Sequence, residues 1–260
     1  MNHSLKPYFA TARMSALEQS YWGLGYVIGG YAIRALRLLA LLTLWKVLFS
    51  QGADTGGMTL SMLLSYTAAS VALSELLDVR TPASTWMYEG SILSQYMRPM
   101  GIFSQLVAHT AGNWMMPLAL FSLPVLVLCA LMNISVLPQS PWFFVSLPLS
   151  ISLGFAIDFL FACLVIRVQN AAWLVETIRR GVTALLSGAV IPFALLPWGI
   201  GDVLALSPFA SVAGASLSLF SGLESAKNVL PLQIFWNVVL WPLAVLLYEK
   251  GRERMVSHGG

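Results

Sequence analysis

The sequence predicts an all-α, polytopic membrane protein, and three observations carry that reading. Of its 260 residues, 58% are hydrophobic and only 10% charged, against about 25% charged in soluble domains. Mean hydropathy is +0.77. Apolar runs such as MPLALFSLPVLVLCALM do not alternate as barrel strands must. Runs of about 18 or more apolar residues read as membrane-spanning helices.

Taken in order, the opening MNHSLKPYFATARM has no apolar stretch followed by a small-residue cleavage site, so no removable signal is expected. Within 1–22, Leu5, Phe9, Ala12 and Ala16 recur at helical spacing. Lys6, Arg13, Glu18 and Gln19 fall largely off that stripe, the pattern of a helix lying in the membrane interface. Six spans follow, at 27–50, 58–79, 102–132, 142–167, 180–197 and 229–248. The first half of the third, SQLVAHTAGNW, is polar, so its embedded part is expected to begin later. Pro117, Pro124, Pro148, Pro192 and Pro242 lie inside spans, where neighbouring helices can satisfy the freed backbone groups.

The segment 198–228, with the residues leading into it, is too apolar for a free loop. Pro192, Pro197, Gly199, Gly201 and Pro208 divide it into short pieces. Two re-entrant helices packed on protein fit it, and so do two tight turns with an interfacial helix. The chain as a whole reads as one transmembrane domain, 1–260.

Six spans place both termini on one side, and basic residues mark the cytoplasmic face. Lys6, Arg13, Arg34, Arg37, Arg80, Arg98, Arg167, Arg179, Arg180, Lys250, Arg252 and Arg254 fall toward the termini. Of the 14 lysines and arginines, only Lys46 and Lys227 fall toward the other side. Cytoplasmic termini are therefore expected, with 51–57, 133–141 and 198–228 facing outward.

That orientation puts residues 81–99 in the cytoplasm. Thr81-Pro82 is a good helix start. Trp86, Gly90, Leu93 and Met97 form a stripe widened by Ile92 and Tyr96, opposite Tyr88, Ser91, Ser94 and Gln95. Arg98-Pro99 ends the helix, because proline restricts the residue before it. Such a helix docks on a partner or the lipid surface, or simply caps the bundle.

Several stretches together extend the reading: the interfacial helix, LWKVLF closing the first span, the loop EGSILSQYMRPMG, and SGAVIPFALLPWGIGDVLALSPF. In this order they resemble the membrane (permease) subunit of a bacterial ABC transporter of the type-two, exporter-like class. The likeness is to the six-span group whose loop reads G-x-(I/L)-…-L-x-RP, here Gly90, Ile92, Arg98 and Pro99. It covers essentially the whole chain. It implies that 81–99 is a coupling helix seated in a cleft of a separate ATPase subunit, with Trp86, Tyr88, Glu89, Tyr96 and Arg98 as contacts.

The resemblance further implies two ATPase copies that bind ATP and Mg, and a second permease, the same chain or a paralogue. The pathway would lie between the permeases, lined by spans one, two and five, with the outward segment helping to close it. Expected cargo is amphipathic or hydrophobic, and the expected location is the bacterial inner membrane. No nucleic-acid partner is implied. The chain lacks G-x-x-x-x-G-K-[ST], whose glycines let backbone N–H groups cradle phosphates. It is therefore expected to be no enzyme and to carry no cofactor itself. Two other classes fit the composition. One is a secondary transporter, which would show internal repeats and midplane carboxylates; the other is a non-transporting scaffold.

Ionisable groups inside spans are costly and point to function. Arg34 and Arg37 fall in span one, Glu75 and Asp78 near the inner end of span two, and Asp158 in span four. At 1.5 Å per residue, Arg34, Glu75 and Asp158 all lie about 22 Å from the outer helix ends. Arg34 is therefore expected to pair with Glu75 or Asp158; snorkelling arginines or a substrate contact fit the same positions. His109 and Asn113 suit hydrogen bonds between helices. Intramembrane proteolysis does not suit them, because GASLS at 214–218 falls on the other side from His109. Cys129 and Cys163 lie in apolar runs, which favours packing over a disulfide or a metal site.

Overall fold

The computed structural model describes residues 5–20, 24–52, 55–165, 168 and 172–258, and among them every regular element is a helix. Arg167, and with it the inner end assigned to span four, lies outside the described residues, as do the side chains of Arg252 and Arg254. Among the described residues three helices are long and apolar enough to cross a membrane: Ile102–Leu131, Phe143–Val165 and Ala226–Gly251. The chain is thus a membrane protein built from helices.

α1 (Lys6–Ser20) and α2 (Leu24–Ser50) open the chain, and α2 carries Arg34, Arg37 and Lys46. The expected second span is broken. α3 (Leu60–Ala72) stops at Leu73, and α4 (Ser74–Leu77) restarts after it. Two short helices, α5 (Ala83–Tyr88) and α6 (Ile92–Tyr96), precede the 30-residue rod Ile102–Leu131. That rod comprises α7 (Ile102–Pro117), a π-helical stretch (Leu118–Ser122) and α8 (Leu123–Leu131). Pro117 and Pro124 bracket the π stretch; each removes a donor from the ladder. The wider spacing, with Leu123 N–H donating to the Leu118 carbonyl, absorbs the mismatch without ending the helix.

α9 (Phe143–Val165) is the central post, packed along α13 (Ala226–His258) on one side. α10 (Ala172–Leu186) leans on its inner end. Here the expected fifth span needs correction, because no straight helix runs from 180 to 197. α10 begins earlier and ends at Leu186, and residues 187–199 continue as irregular chain with two 3₁₀ turns. Pro192 and Pro197 cannot donate to a helical ladder. α3 takes up the freed carbonyls instead. Tyr66 donates its hydroxyl to the Gly188 carbonyl (2.7 Å), and Ser70 donates to that of Ala189.

The segment expected to face outward, 198–228, forms α11 (Ile200–Ala205), largely exposed, and α12 (Gly214–Ser221), which is almost wholly buried. α12 packs on α3, α9 and α13, so its backbone is enclosed by protein, as irregular chain at membrane depth requires. A polar network fixes it. Ser146 and Ser150 of α9, Ser216 of α12 and Gln233 of α13 are all fully buried and joined by hydrogen bonds of 2.6–2.9 Å.

α1 keeps the large residues of its expected stripe clear of the rest of the protein. Leu5 and Phe9 are exposed, whereas Ser15 is buried and α1 lies along α7. Small residues let the two backbones approach closely. A methyl group at Gly112 would collide with the Ala12 carbonyl and come within 2.9 Å of the Ser15 Cβ. Gly112→Ala is therefore expected to lever α1 away from α7, costing about 1–3 kcal/mol as overpacking. Limited proteolysis within 5–20 should speed up in the variant, and an unchanged digestion pattern would refute the contact.

Candidate functional site

Residues 81–99 do not form one helix. Gly90 has a φ of +72°, a left-handed conformation that glycine adopts at little cost, and the chain turns there between α5 and α6. The turn re-aims the second half. The buried face is Ala83, Met87, Ile92 and Gln95, and the expected stripe of Trp86, Gly90, Leu93 and Met97 is not the packed one: Met97 is 88% exposed. Ala83, Met87 and Ile92 sit in a core with Phe159, Ala162 and Cys163 of α9 and Ala244 of α13. Gln105 donates its amide to the Gln95 and Met100 carbonyls, both at 2.8 Å, and so staples α6 to the start of α7. The Tyr96 hydroxyl bonds that of Tyr248 on α13.

Of the five residues marked as contacts, Tyr88, Glu89, Tyr96 and Arg98 are exposed. Trp86 is half-buried, its ring edge-on to His109 with centroids 6.0 Å apart. Among the described residues, His109 does not reach across to another helix by hydrogen bond as expected. Its Nδ1 lies 3.2 Å from the Asn113 amide nitrogen, one turn along the same helix. The hairpin is thus apolar toward the bundle, with aromatic and charged side chains toward the outside.

Its root is held by charge. Thr81, just before α5, donates its backbone N–H (3.1 Å) and its hydroxyl (2.5 Å) to Asp158 Oδ2 on α9. The same hydroxyl accepts the Ala83 N–H at 3.2 Å, although Pro82, not Thr81, occupies the N-cap position of α5. Arg179 of α10, its side chain only 3% exposed, faces three carboxylates: Glu176 at 2.8 Å, Asp158 at 3.5 Å and Asp78 at 3.7 Å. It also donates to the Val79 carbonyl at 3.4 Å. One buried guanidinium therefore ties the α4–α5 connection to α9 and α10. Arg80 closes on Asp78, and Arg180 on Glu176 at 3.2 Å.

Arg34 pairs with Glu75 and stands 5.7 Å from the Phe121 ring centroid. Of the two partners expected for it, Glu75 is the one found. Asp158 belongs to Arg179, as does Asp78, so four of the five expected charges divide into two groups. Arg37 makes no ion pair or hydrogen bond among the described residues. Sequence reasoning missed Arg179, Glu176 and Thr81 as members. The available signal was the spacing of Glu176, Arg179 and Arg180, three and four residues apart on one helix face.

This arrangement can transmit displacement: a push on the hairpin reaches α9 through Thr81 and α10 through Val79 and Arg179. No known family, curated protein or solved structure matches the chain.

Proposed function

We propose that the chain is the membrane subunit of an ATP-driven transporter, a permease that exports an amphipathic or hydrophobic substrate. It pairs with a second permease and binds two copies of a cytoplasmic ATPase subunit, which carries ATP and Mg. In this reading six segments cross the bacterial inner membrane: α2, α3 with α4, the α7–α8 rod, α9, α10 with the chain after it, and α13. Both termini are cytoplasmic.

The observation that carries the reading is the 81–99 hairpin. Its outward surface of Tyr88, Glu89, Met97 and Arg98 is exposed, and aromatics, Met and Arg are the residue types enriched in protein interfaces. Its inward face and root are fixed to α9, α10 and α13. A surface with a rigid linkage behind it suits force transfer better than lipid anchoring. ATP-dependent closure of the ATPase pair then favours one of two arrangements of the permease halves through differential affinity. A secondary transporter would need coupling-ion carboxylates near the midplane, and here Glu75 and Asp158 face arginines instead.

Co-expression with a P-loop ATPase encoded alongside the chain tests this. The wild-type complex is expected to co-purify and to stimulate ATP hydrolysis, while Glu89→Lys and Arg98→Glu insert normally but lose stimulation by about tenfold, as for a charged interface contact. Full stimulation in both variants, or no such ATPase, rejects the proposal.

A further inference from the structure

A cavity of about 310 Å³ opens between α2, the α3–α4 kink and α10. Six charged side chains line it: Arg34, Arg37, Arg80, Arg180, Glu75 and Asp78. The four arginines exceed the two carboxylates. Arg34 and Arg80 are engaged by Glu75 and Asp78, and Arg180 reaches back to Glu176 outside the lining. Arg37 is left facing the space with no protein partner among the described residues.

An arginine flanked by Leu36 and Leu38 on a mostly apolar helix is expensive unless something neutralises it. Thr183 Oγ1, on the opposite wall, is buried and also lacks a hydrogen-bond partner. An unpaired cation and an unused hydroxyl therefore border one space. The remainder of the lining mixes apolar side chains, Leu41, Val71 and Val190 among them, with the hydroxyl residues Thr67, Ser70, Ser74 and Ser187. Along α2 the surface beyond the cavity is oily, with Ile33 and Leu36 exposed by 69% and 66%.

We infer that this cavity binds an anionic, phosphate-bearing amphiphile, with its headgroup held between Arg37 and Arg180 and its chains running out over α2. Guanidinium groups bind phosphate oxygens through paired, charge-assisted hydrogen bonds. The volume suits a headgroup and the first carbons of its chains, at the small end of ligand pockets; the rest of each chain lies in the membrane. Binding of this kind does not depend on the transport reading, because it requires only this chain.

The test uses the purified full chain in a nonionic detergent, with bound lipid counted by native mass spectrometry. Dioctanoyl phosphatidylglycerol should bind about tenfold more tightly than dioctanoyl phosphatidylcholine, and equimolar inorganic phosphate should not displace it. Arg37→Gln and Arg180→Gln should each weaken it by about tenfold, the scale of one lost charge-assisted bond. Arg13→Gln, on exposed α1, should bind as wild type. Arg37 makes no hydrogen bond or ion pair among the described residues, so its variant is expected to remain folded, and a monodisperse gel-filtration peak verifies that. Equal retention of the two lipids, wild-type binding by Arg37→Gln, equal weakening in Arg13→Gln, or displacement by inorganic phosphate would each overturn the inference. The last of these would make the site one for free phosphate.

Discussion

Arg179→Met is expected to cost about 3–5 kcal/mol, because removing one partner of a buried ionic group leaves the other charge uncompensated. Asp158, whose side chain is 3% exposed, would keep its hydrogen bonds from Thr81 but lose its only cation, whereas Asp78 and Glu176 would keep Arg80 and Arg180. A loss of that size is a large share of a typical domain's total stability. Thermal unfolding of detergent-purified protein should therefore move down by many degrees, with poor recovery from the membrane. Adding Asp158→Asn to Arg179→Met removes the stranded charge while keeping an acceptor for Thr81, and should restore part of the loss. A single variant that melts within about 2 °C of wild type would mean that the guanidinium is not the keystone of the hairpin's root.

Gln233→Leu should be nearly as damaging, although the residue carries no charge. Its side chain is fully buried. Nε2 donates to the Ser150 hydroxyl at 2.9 Å and to the Ser211 carbonyl at 3.0 Å, while Oε1 accepts from Ser146 at 2.8 Å. Leucine of similar volume fills the space but leaves these groups short of partners, at about 1–3 kcal/mol for each polar group left unsatisfied. Some of this is recovered because Ser150 still reaches Ser216 at 2.6 Å and Ser146 reaches it at 2.9 Å, so a net loss of about 2–4 kcal/mol is expected. Adding Ser146→Ala, Ser150→Ala and Ser216→Ala together should raise stability again, because removing both sides of a hydrogen bond is far milder than removing one. If Gln233→Leu melts with the wild type, α12 is held by packing alone.

The long apolar rods were legible in the sequence because burial in lipid demands an unbroken apolar stretch. Ile102–Leu131 and Phe143–Val165 fall close to their expected bounds. The Arg34–Glu75 pair was legible as one of two alternatives, since equal depth below the outer helix ends put both Glu75 and Asp158 level with Arg34. Three features were hidden. The fifth span was placed by hydropathy alone, which began it at 180 and left Arg179 as an edge charge. The first half of α10, containing Glu176, is amphipathic, so the apolar window excluded it. The turn at Gly90 was hidden because a single glycine inside a helical pattern is ordinarily tolerated, and its left-handed conformation comes from the seat that α9 and α13 provide. The close approach of α1 to α7 was hidden as well, because it is set by the small residues opposite Gly112, a choice only the partner helix determines.

The clasp beneath the hairpin has a consequence in time. Thr81 is 77 residues from Asp158, Val79 is 100 from Arg179, and Tyr96 is 152 from Tyr248. At a synthesis rate of about 5–20 residues per second, the last of these gaps takes about 8–30 s to translate. A ribosome therefore exposes residues 83–96 well before it makes the walls that shape them, and a truncated polypeptide never displays the finished surface. Maturation is self-proofreading: only a chain read through to its final helix completes the clasp.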